Sequence, residues 1–228
     1  MDVAGRGSSV RSRDVAAVND MPPRGHYLAH EVGFLAGVSG DCVGQWARRG
    51  YIRSSVFEEI PRVYAFQDVV EAIVVHQLFD EGVTHAAVRR LLKDLGEKYG
   101  RWPLTHADLW VEDQPGRKQH VFFLEDGETW DRHSQGVLRQ IVRLREVIGT
   151  LRRGGWVVRN HPEIKHIEVN PDRLSGAPVI RGKRVEAVVA GELALTKEGR
   201  QVLRTDYGLT APEVRDAGKW YRAVLAAA

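Results

Sequence analysis

Two short helical patterns joined by a three-residue turn constrain the fold of this chain more than any other feature. Residues 29–36 carry apolar side chains at helical spacing, and Gly37 stands where a glycine commonly ends a helix. Ser39 can cap a second helix, which the pattern predicts to run to about Arg49. Because the turn is so short, the two helices must pack closely, which is the helix-turn-helix arrangement.

The residues that follow predict the rest of a small domain. Two short extended pieces, 51–53 and 62–64, flank a polar stretch and predict a wing. An amphipathic pattern over 66–81 predicts a long helix, and Thr84 can cap a further one. Residues 24–95 are therefore predicted to form a winged helix-turn-helix domain of the kind that docks on DNA.

Basic side chains cluster locally on this domain, although its overall charge is close to neutral. Residues 24–95 contain eight Arg or Lys against nine Asp or Glu, but no acidic residue lies between Asp41 and Glu58. Arginines on such a face can contact phosphates, and a glutamine can pair with adenine in the major groove. A solvated helix edge is the alternative interpretation. The candidate DNA contacts are Gln45, Arg48, Arg49, Arg53, Arg62 and Tyr64.

The central region, residues 96–159, changes from helical to extended patterns. Three short apolar segments predict a small antiparallel sheet, over 109–111, 121–124 and 129–130. Apolar spacings of four and three then predict one linking helix with a heptad-like seam, made by Val137, Ile141, Leu144, Ile148 and Leu151. The seam is too short to hold a dimer alone, so it is either one contact of a dimer or part of the monomer core.

An acidic cluster lies near a turn of the predicted sheet. Its members are Glu125, Asp126, Glu128 and Asp131. A metal-dependent nuclease needs carboxylates that converge on an ion, whereas these are sequential around a hairpin, which favours a solvated loop. The histidines show no paired ligand spacing, and no phosphate-binding glycine loop is present. The sequence therefore predicts no catalytic residue, no metal and no cofactor.

The last segment, residues 160–228, starts a new pattern. A strand near His166 is followed by a tight hairpin-like element over 176–185. Three helices are predicted after it, at 186–195, 198–206 and 211–225. Thr210 and Glu213 have the spacing of a capping box at the start of the last helix, so this module is also helix-turn-helix-like. The predicted fold class is therefore mainly α with small β elements.

The N-terminal pattern resembles a MerR-type DNA-binding domain. The residues that carry the resemblance are Tyr27 to Ser39, Trp46 to Ile52, Arg62 to Tyr64, Asp68-Val69 and Glu81 to Thr84, in that order and spacing. The resemblance covers nearly 70 residues. It departs from the family at Gly44, where the family usually carries an arginine. That departure removes the usual contact with DNA from this position.

The C-terminal pattern resembles a family of small homeodomain-like modules typical of bacterial antitoxins. The segment Gly176-Ala-Pro-Val-Ile-Arg-Gly182 is its most distinctive part, followed by Tyr207-Gly-Leu-Thr-Ala-Pro-Glu-Val214. A MerR-like head joined to this module is similar to Vap-type antitoxins. That resemblance implies a dimeric repressor of its own operon that binds operator DNA and silences a PIN-domain ribonuclease toxin.

A second set of residues is a candidate surface for a protein partner. The central region is rich in aromatic residues, which are enriched at protein interfaces, and a basic cluster follows the hairpin-like element. An arginine from an antitoxin can neutralise a carboxylate-rich active site. The basic cluster could equally contact DNA or be solvated. The candidate partner contacts are Trp110, Phe122, Trp130, Arg181, Lys183 and Arg184.

Composition adds few constraints to these hypotheses. The single cysteine, Cys42, excludes an internal disulfide and favours a cytoplasmic protein, and no stretch approaches the length of a membrane span. Residues 1–23 are predicted to be a disordered tail, within which Met21 is an alternative translation start. The alternative function is a MerR-like regulator that senses a small molecule through residues 96–228.

Overall fold

The computed structural model describes most of the chain. The described residues are 25–106, 109–113, 121–125, 128–129, 137–142, 144–153 and 155–227. The predicted disordered tail, residues 1–23, and Trp130 of the candidate partner surface lie outside these ranges. Over the described ranges the protein is mainly α-helical with small antiparallel sheets, as the sequence predicts.

Helices account for most of the described residues. In chain order the α-helices are α1 Ala29–Ala36, α2 Gly40–Arg48, α3 Phe66–Asp80, α4 His85–Tyr99, α5 Leu144–Arg152, α6 Trp156–Asn160, α7 Ala187–Leu193, α8 Lys197–Thr205 and α9 Ala211–Ala226. Short 3-10 helices lie at Pro103–Thr105 and Leu174–Gly176. The predicted helices at both ends of the chain are thus confirmed to within a few residues at each boundary.

Two antiparallel sheets complete the described elements. The strands are β1 Leu109–Asp113, β2 Val121–Glu125, β3 Glu128–Thr129, β4 Val137–Val142, β5 Ile167–Glu168 and β6 Val179–Ile180. The larger sheet has the order β3-β2-β1-β4, and β5 pairs with β6 in the smaller one. Glu125 lies opposite Glu128 in the β2–β3 register, which confirms the predicted hairpin.

The predicted linking helix is wrong over its first half. Val137 and Ile141 lie on strand β4, which pairs with β1, and the helix begins only at Leu144. Ile148 and Leu151 are buried in the core of the single chain, at 2% and 0% exposed. The heptad-like seam therefore does not exist as one helical face, and its buried residues support the monomer-core interpretation.

The predicted wing also forms differently from the expectation. Tyr51 and Ile52 are buried at 1% and 3% exposed and form no strand. The pairing instead joins Phe57 to Val63, with backbone hydrogen bonds of 3.1 and 3.0 Å. Tyr64 pairs with Tyr27, which lies before α1. The loop between Phe57 and Val63 is thus the element that projects from the domain.

One continuous hydrophobic core joins the two ends of the chain. Phe34 of α1 stacks on the His161 ring at 3.9 Å and meets the Trp220 ring edge-on at 4.7 Å. The indole N–H of Trp156 donates to the carbonyl of Leu35 at 2.9 Å. Helices α1 and α2 and the C-terminal residues 155–227 therefore pack on each other. The predicted domain boundaries at residues 95 and 160 remain predictions.

Candidate nucleic-acid interface

The turn between α1 and α2 is built by a close approach of backbone to backbone. Gly37 adopts a left-handed conformation, with φ +80°, and ends α1. A Cβ on Gly33 would lie 2.6 Å from the carbonyl oxygen of Val38, so only glycine fits there. The Ser39 hydroxyl accepts a hydrogen bond from the Cys42 amide at 3.2 Å and caps α2. These contacts set the angle between the two helices.

Three of the predicted DNA contacts lie together on α2. Gln45, Arg48 and the capping residue Arg49 all expose their side chains to solvent, whereas Val43 and Trp46 of the same helix are buried. Gly44 lies among the exposed residues with free space around it: a Cβ there would meet only the Arg48 guanidinium, at 3.5 Å. The polar face of α2 is thus available to an external ligand.

The N-terminus of α2 is covered by the chain itself. The Gly40 amide donates to the carbonyl of Ala227, just beyond the end of α9, at 2.6 Å. A Cβ on Gly40 would lie 3.0 Å from that oxygen. In helix-turn-helix proteins the N-terminal residues of the second helix commonly contact base edges. Any DNA contact by α2 must therefore come from its C-terminal half, where Gln45, Arg48 and Arg49 lie.

Tyr64 is a core residue and its predicted DNA contact is wrong. Its side chain is 0% exposed, and its backbone pairs with Tyr27 on the inner side of the domain. Burial raises the pKa of the Tyr64 hydroxyl, while the positive charges of Arg62 and Arg48 act in the opposite direction. Tyr64 thus packs beneath a surface to which Arg48 and half-exposed Arg62 both contribute.

Arg53 is exposed but lies in a different electrostatic setting. Burial raises the pKa of the fully buried Glu71 carboxyl to about 8. The positive charge of Arg53 opposes part of that rise. The neighbouring carboxylate of Asp68 also raises the Glu71 pKa. Arg53 therefore compensates a buried acid in addition to facing solvent, which the sequence did not indicate.

Asp68 organises the segment that carries Arg53. Its carboxylate accepts hydrogen bonds from the Ser55 amide and hydroxyl at 2.8 and 2.6 Å and from the Ala65 amide at 2.8 Å. The Trp102 indole N–H donates to it at 2.8 Å. Burial raises the pKa of Asp68, and these four donors act against that rise. The carboxylate thereby fastens residues 53–55 to the start of α3.

The projecting loop has an acidic tip that sequence reasoning did not weigh. Glu58 and Glu59 are exposed, as is Ile60 at 85%. Carboxylates at this position oppose a phosphate backbone, because like charges repel. The loop therefore contributes less to a nucleic-acid surface than the predicted wing, and the cations of the predicted DNA face nearest to α2 are Arg48, Arg49 and Arg62.

The candidate partner residues are divided between two places. Trp110 lies half-buried on β1, opposite Phe122 of β2, and its indole N–H has no acceptor among the described residues. Arg181, Lys183 and Arg184 lie in the turn between β6 and α7. The two groups are far apart in sequence. Trp130 lies outside the described residues.

Lys183 makes contacts within its own module, while its predicted place on a partner surface stays a prediction. Its ammonium group donates to the Gly208 carbonyl at 2.5 Å and lies 3.4 Å from the Glu213 carboxylate. Glu213 in turn accepts from the Thr210 amide and hydroxyl at 2.6 and 2.9 Å, which confirms the predicted capping box. Arg181 and Arg184 expose their side chains and remain candidates.

Sequence reasoning missed a basic groove between α8 and α9. The groove has a volume of about 510 Å³ and is lined by Ala194, Lys197, Arg200, Gln201, Arg204, Ala211, Val214, Arg215, Gly218 and Arg222. The signal was present as helical spacing: the cations at 197, 200 and 204 share one face of α8, and those at 215 and 222 share one face of α9. The groove exists only because the two faces oppose each other.

The described residues provide no group of three or more His, Cys, Asp or Glu side chains that could hold a metal ion. Two members of the acidic cluster, Asp126 and Asp131, lie outside those residues. Among the helices of the described ranges, none has the length and apolar character needed to cross a membrane.

Comparisons with known proteins identify similar chains without assigning a family. No family model matches the chain. A 51-residue segment, 22% of this chain, is 39% identical to the Mycobacterium tuberculosis protein Rv2308, described as uncharacterised, and spans 21% of that protein's length. The crystal structure of Rv2018 from the same organism aligns with 84% of this chain and 96% of its own, at 17% identity and a TM-score of 0.47.

Proposed function

We propose that this protein is the antitoxin of a type II toxin-antitoxin pair, which binds operator DNA and neutralises a PIN-domain ribonuclease. The proposal rests on the resemblance of the two ends of the chain to a MerR-like head and an antitoxin module. In this proposal the head is a winged helix-turn-helix whose wing is the Phe57–Val63 loop. The protein itself performs no chemistry and acts as a dimer in the cytoplasm.

The observation that carries the DNA-binding half is the solvent-facing end of α2. Arg48 and Arg49 are exposed beside Gln45 on a helix whose opposite face is buried, and Arg62 lies close by. Guanidinium groups on a rigid helix suit phosphate contacts, and a glutamine beside them can reach a base edge. Two-fold symmetric DNA half-sites would then require two copies of this face.

Support for the ribonuclease half comes from features that a protein partner would use. Trp110 is half-buried on β1 opposite Phe122, and aromatic side chains that keep part of their surface in solvent are enriched at protein interfaces. Arg181 and Arg184 extend from a rigid turn and could approach a carboxylate-rich active site.

A titration of duplex DNA from the region upstream of the gene tests the first half. We expect R48Q/R49Q to weaken binding and to reduce the slope of log K against log salt by about 0.9 for each phosphate that the variant no longer neutralises. The matched control R89Q/R90Q removes the same charge from the exposed face of α4 and should leave the slope unchanged. An equal decrease in affinity for both variants would show a general charge effect and contradict the assignment.

Co-expression with the product of the neighbouring gene tests the second half. We expect co-purification of a ribonuclease and restored growth of cells that express it. Failure to recover any ribonuclease, together with DNA binding that changes when small aromatic ligands are added, would instead support the small-molecule regulator.

A further inference from the structure

The basic groove between α8 and α9 has the form of a binding site for an extended polyanion. Lys197, Arg200 and Arg204 line one wall, and Arg215 and Arg222 line the other. On each helix the first and last of these cations are seven positions apart, which is about 10 Å of helix length at 1.5 Å per residue. Two facing rows of this length match a chain of successive negative charges better than a single compact anion.

Cations outnumber acids around the groove. No carboxylate is among the residues that line it. Of the nearby acids, Asp216 is buried, accepts from His166 at 2.6 Å and lies 4.0 Å from the Nε of Arg215, so it partly neutralises that cation. Glu213 caps α9 beside Lys183, and Asp206 accepts from the Thr205 hydroxyl at 2.6 Å. The five lining cations, one of them shared with Asp216, therefore leave the groove positive.

The N-terminus of α9 is exposed to solvent, whereas the N-terminus of α2 is covered. Thr210, Ala211 and Pro212 at the start of α9 are exposed to solvent. At the corresponding place on α2, the Gly40 amide is occupied by the Ala227 carbonyl. Since the N-terminal part of the second helix is the part that approaches bases in helix-turn-helix proteins, α9 is the better placed of the two.

We propose that α8 and α9 form a second DNA-docking unit whose groove holds the phosphodiester backbone of one strand of a duplex. Phosphates would lie between the two rows of cations, while the exposed start of α9 approaches the adjacent major groove. This inference rests on the DNA-binding half of the proposed function and adds a site that the α2 face does not include. It assigns the chain two separated DNA contacts in each copy.

The test compares the salt dependence of duplex binding among variants of the full-length protein. R204Q/R222Q removes one cation from each wall. We expect its affinity to fall at least tenfold and its salt slope to decrease by about 2, one unit for each phosphate that is no longer neutralised. R89Q/R90Q is the charge-matched control and should bind as the wild type does. Lys197→Gln, a third substitution in the same groove, should lower the slope by about 1.

The outcomes separate this proposal from the broader one. Absence of duplex binding by the wild-type protein would overturn both proposals. Wild-type binding with an unchanged slope in R204Q/R222Q and a reduced slope in R48Q/R49Q would overturn only the second site. If R204Q/R222Q fails to bind an acidic polyglutamate peptide that the wild type binds, and its duplex slope is unchanged, the groove belongs to a protein partner and the second site is overturned as well.

Discussion

Two units of this chain, the helix pairs α1–α2 and α8–α9, are each joined by a short turn but lie in opposite surroundings. The first, α1 and α2, is enclosed: Phe34 lies between His161 and Trp220, and Gly40 is bonded to Ala227. The second, α8 and α9, opens a cationic groove to solvent. The cations of the first unit are restricted to the end of α2, whereas those of the second unit line an open groove. Two helices joined by a short turn therefore do not by themselves identify an accessible cationic surface.

The balance of basic and acidic residues also differs between the two ends of the chain. Residues 155–227 carry twelve Arg or Lys against nine Asp or Glu, while residues 24–95 carry eight against nine. Residues 24–95 also include Glu58 and Glu59 at the tip of the projecting loop. Electrostatic attraction to DNA is thus expected to come more from the C-terminal half than from the half that resembles a DNA-binding domain.

The largest expected effect tests whether the two units are one cooperative structure. Trp220 is 0% exposed and contacts Phe34 of α1 edge-on. Replacing a buried tryptophan by alanine removes apolar contacts and leaves a cavity, so we expect Trp220→Ala to destabilise the protein by about 3–5 kcal/mol. Denaturant unfolding followed by circular dichroism and hydrogen exchange should show both units shifting together. A separate, unshifted transition for residues 25–106 would show that the units are independent.

A buried acid on α3, Glu71, makes the stability of the protein depend on pH. The pKa of Glu71 is raised from 4.5 to about 8, chiefly by burial and then by the charge of Asp68. The folded state therefore keeps a proton that the unfolded state releases near its ordinary pKa, so stability is greatest below that value and falls as pH rises to about 8. Glu71→Gln should remove this decrease.

We expect Glu71→Gln to gain stability relative to the wild type by on the order of 5 kcal/mol on going from acidic to mildly alkaline solution. Urea unfolding at a series of pH values measures this difference. Glu97→Gln, which changes an exposed carboxylate on α4, is the control and should show no such trend. A difference between wild type and Glu71→Gln that is constant across pH would contradict the shifted titration.

A single hydrogen bond tests the contact between the two ends of the chain. The Tyr27 hydroxyl is buried and donates to the carbonyl of Gly176 in the C-terminal module. Tyr27→Phe should cost about 1–3 kcal/mol, because it leaves a buried carbonyl without its donor. Thermal unfolding measures the decrease, and Tyr207→Phe, which removes an exposed hydroxyl, should be neutral. An unchanged unfolding temperature in Tyr27→Phe would mean that water replaces the hydroxyl as the donor to the Gly176 carbonyl.

The smallest expected effect concerns the position where the first unit lacks a cation. A side chain at Gly44 meets only Arg48, so Gly44→Arg should fit and should gain up to about 1 kcal/mol of helix stability. If α2 contacts DNA, the added charge should also raise the salt slope by about 1. Gly44→Ala, which gains helix stability without charge, is the control. Equal DNA affinity for the two variants would place this part of α2 away from the phosphates.

Local signals predicted the helices at both ends of the chain because each is specified by residues close in sequence. Gly37 and Ser39 determine the first turn, and Thr210 with Glu213 caps α9. The heptad-like seam failed for a physical reason. Val137 and Ile141 are four residues apart, and an even spacing places side chains on one face of a strand as well as on one face of a helix. Periodicity over so few residues does not distinguish the two.

The site was predicted in part. Exposure of Gln45, Arg48 and Arg49 follows from the amphipathic pattern of α2, in which Trp46 must face the core. The burial of Tyr64 does not follow from any local pattern, because it depends on pairing with Tyr27, 37 positions earlier in the chain. The use of Lys183 inside its module likewise depends on Gly208 and Glu213, which come near only after the helices pack.

The sequence by itself determined the pair of helices at each end, since caps, glycine turns and apolar spacing act over one or two helical turns. Only the tertiary structure decided which unit is accessible. The Ala227 carbonyl reaches Gly40 across 187 positions, and the cations of α8 and α9 become a groove only when two helix faces oppose each other. Accessibility and electrostatic potential are properties of surfaces, and a surface is formed by residues that are distant in sequence.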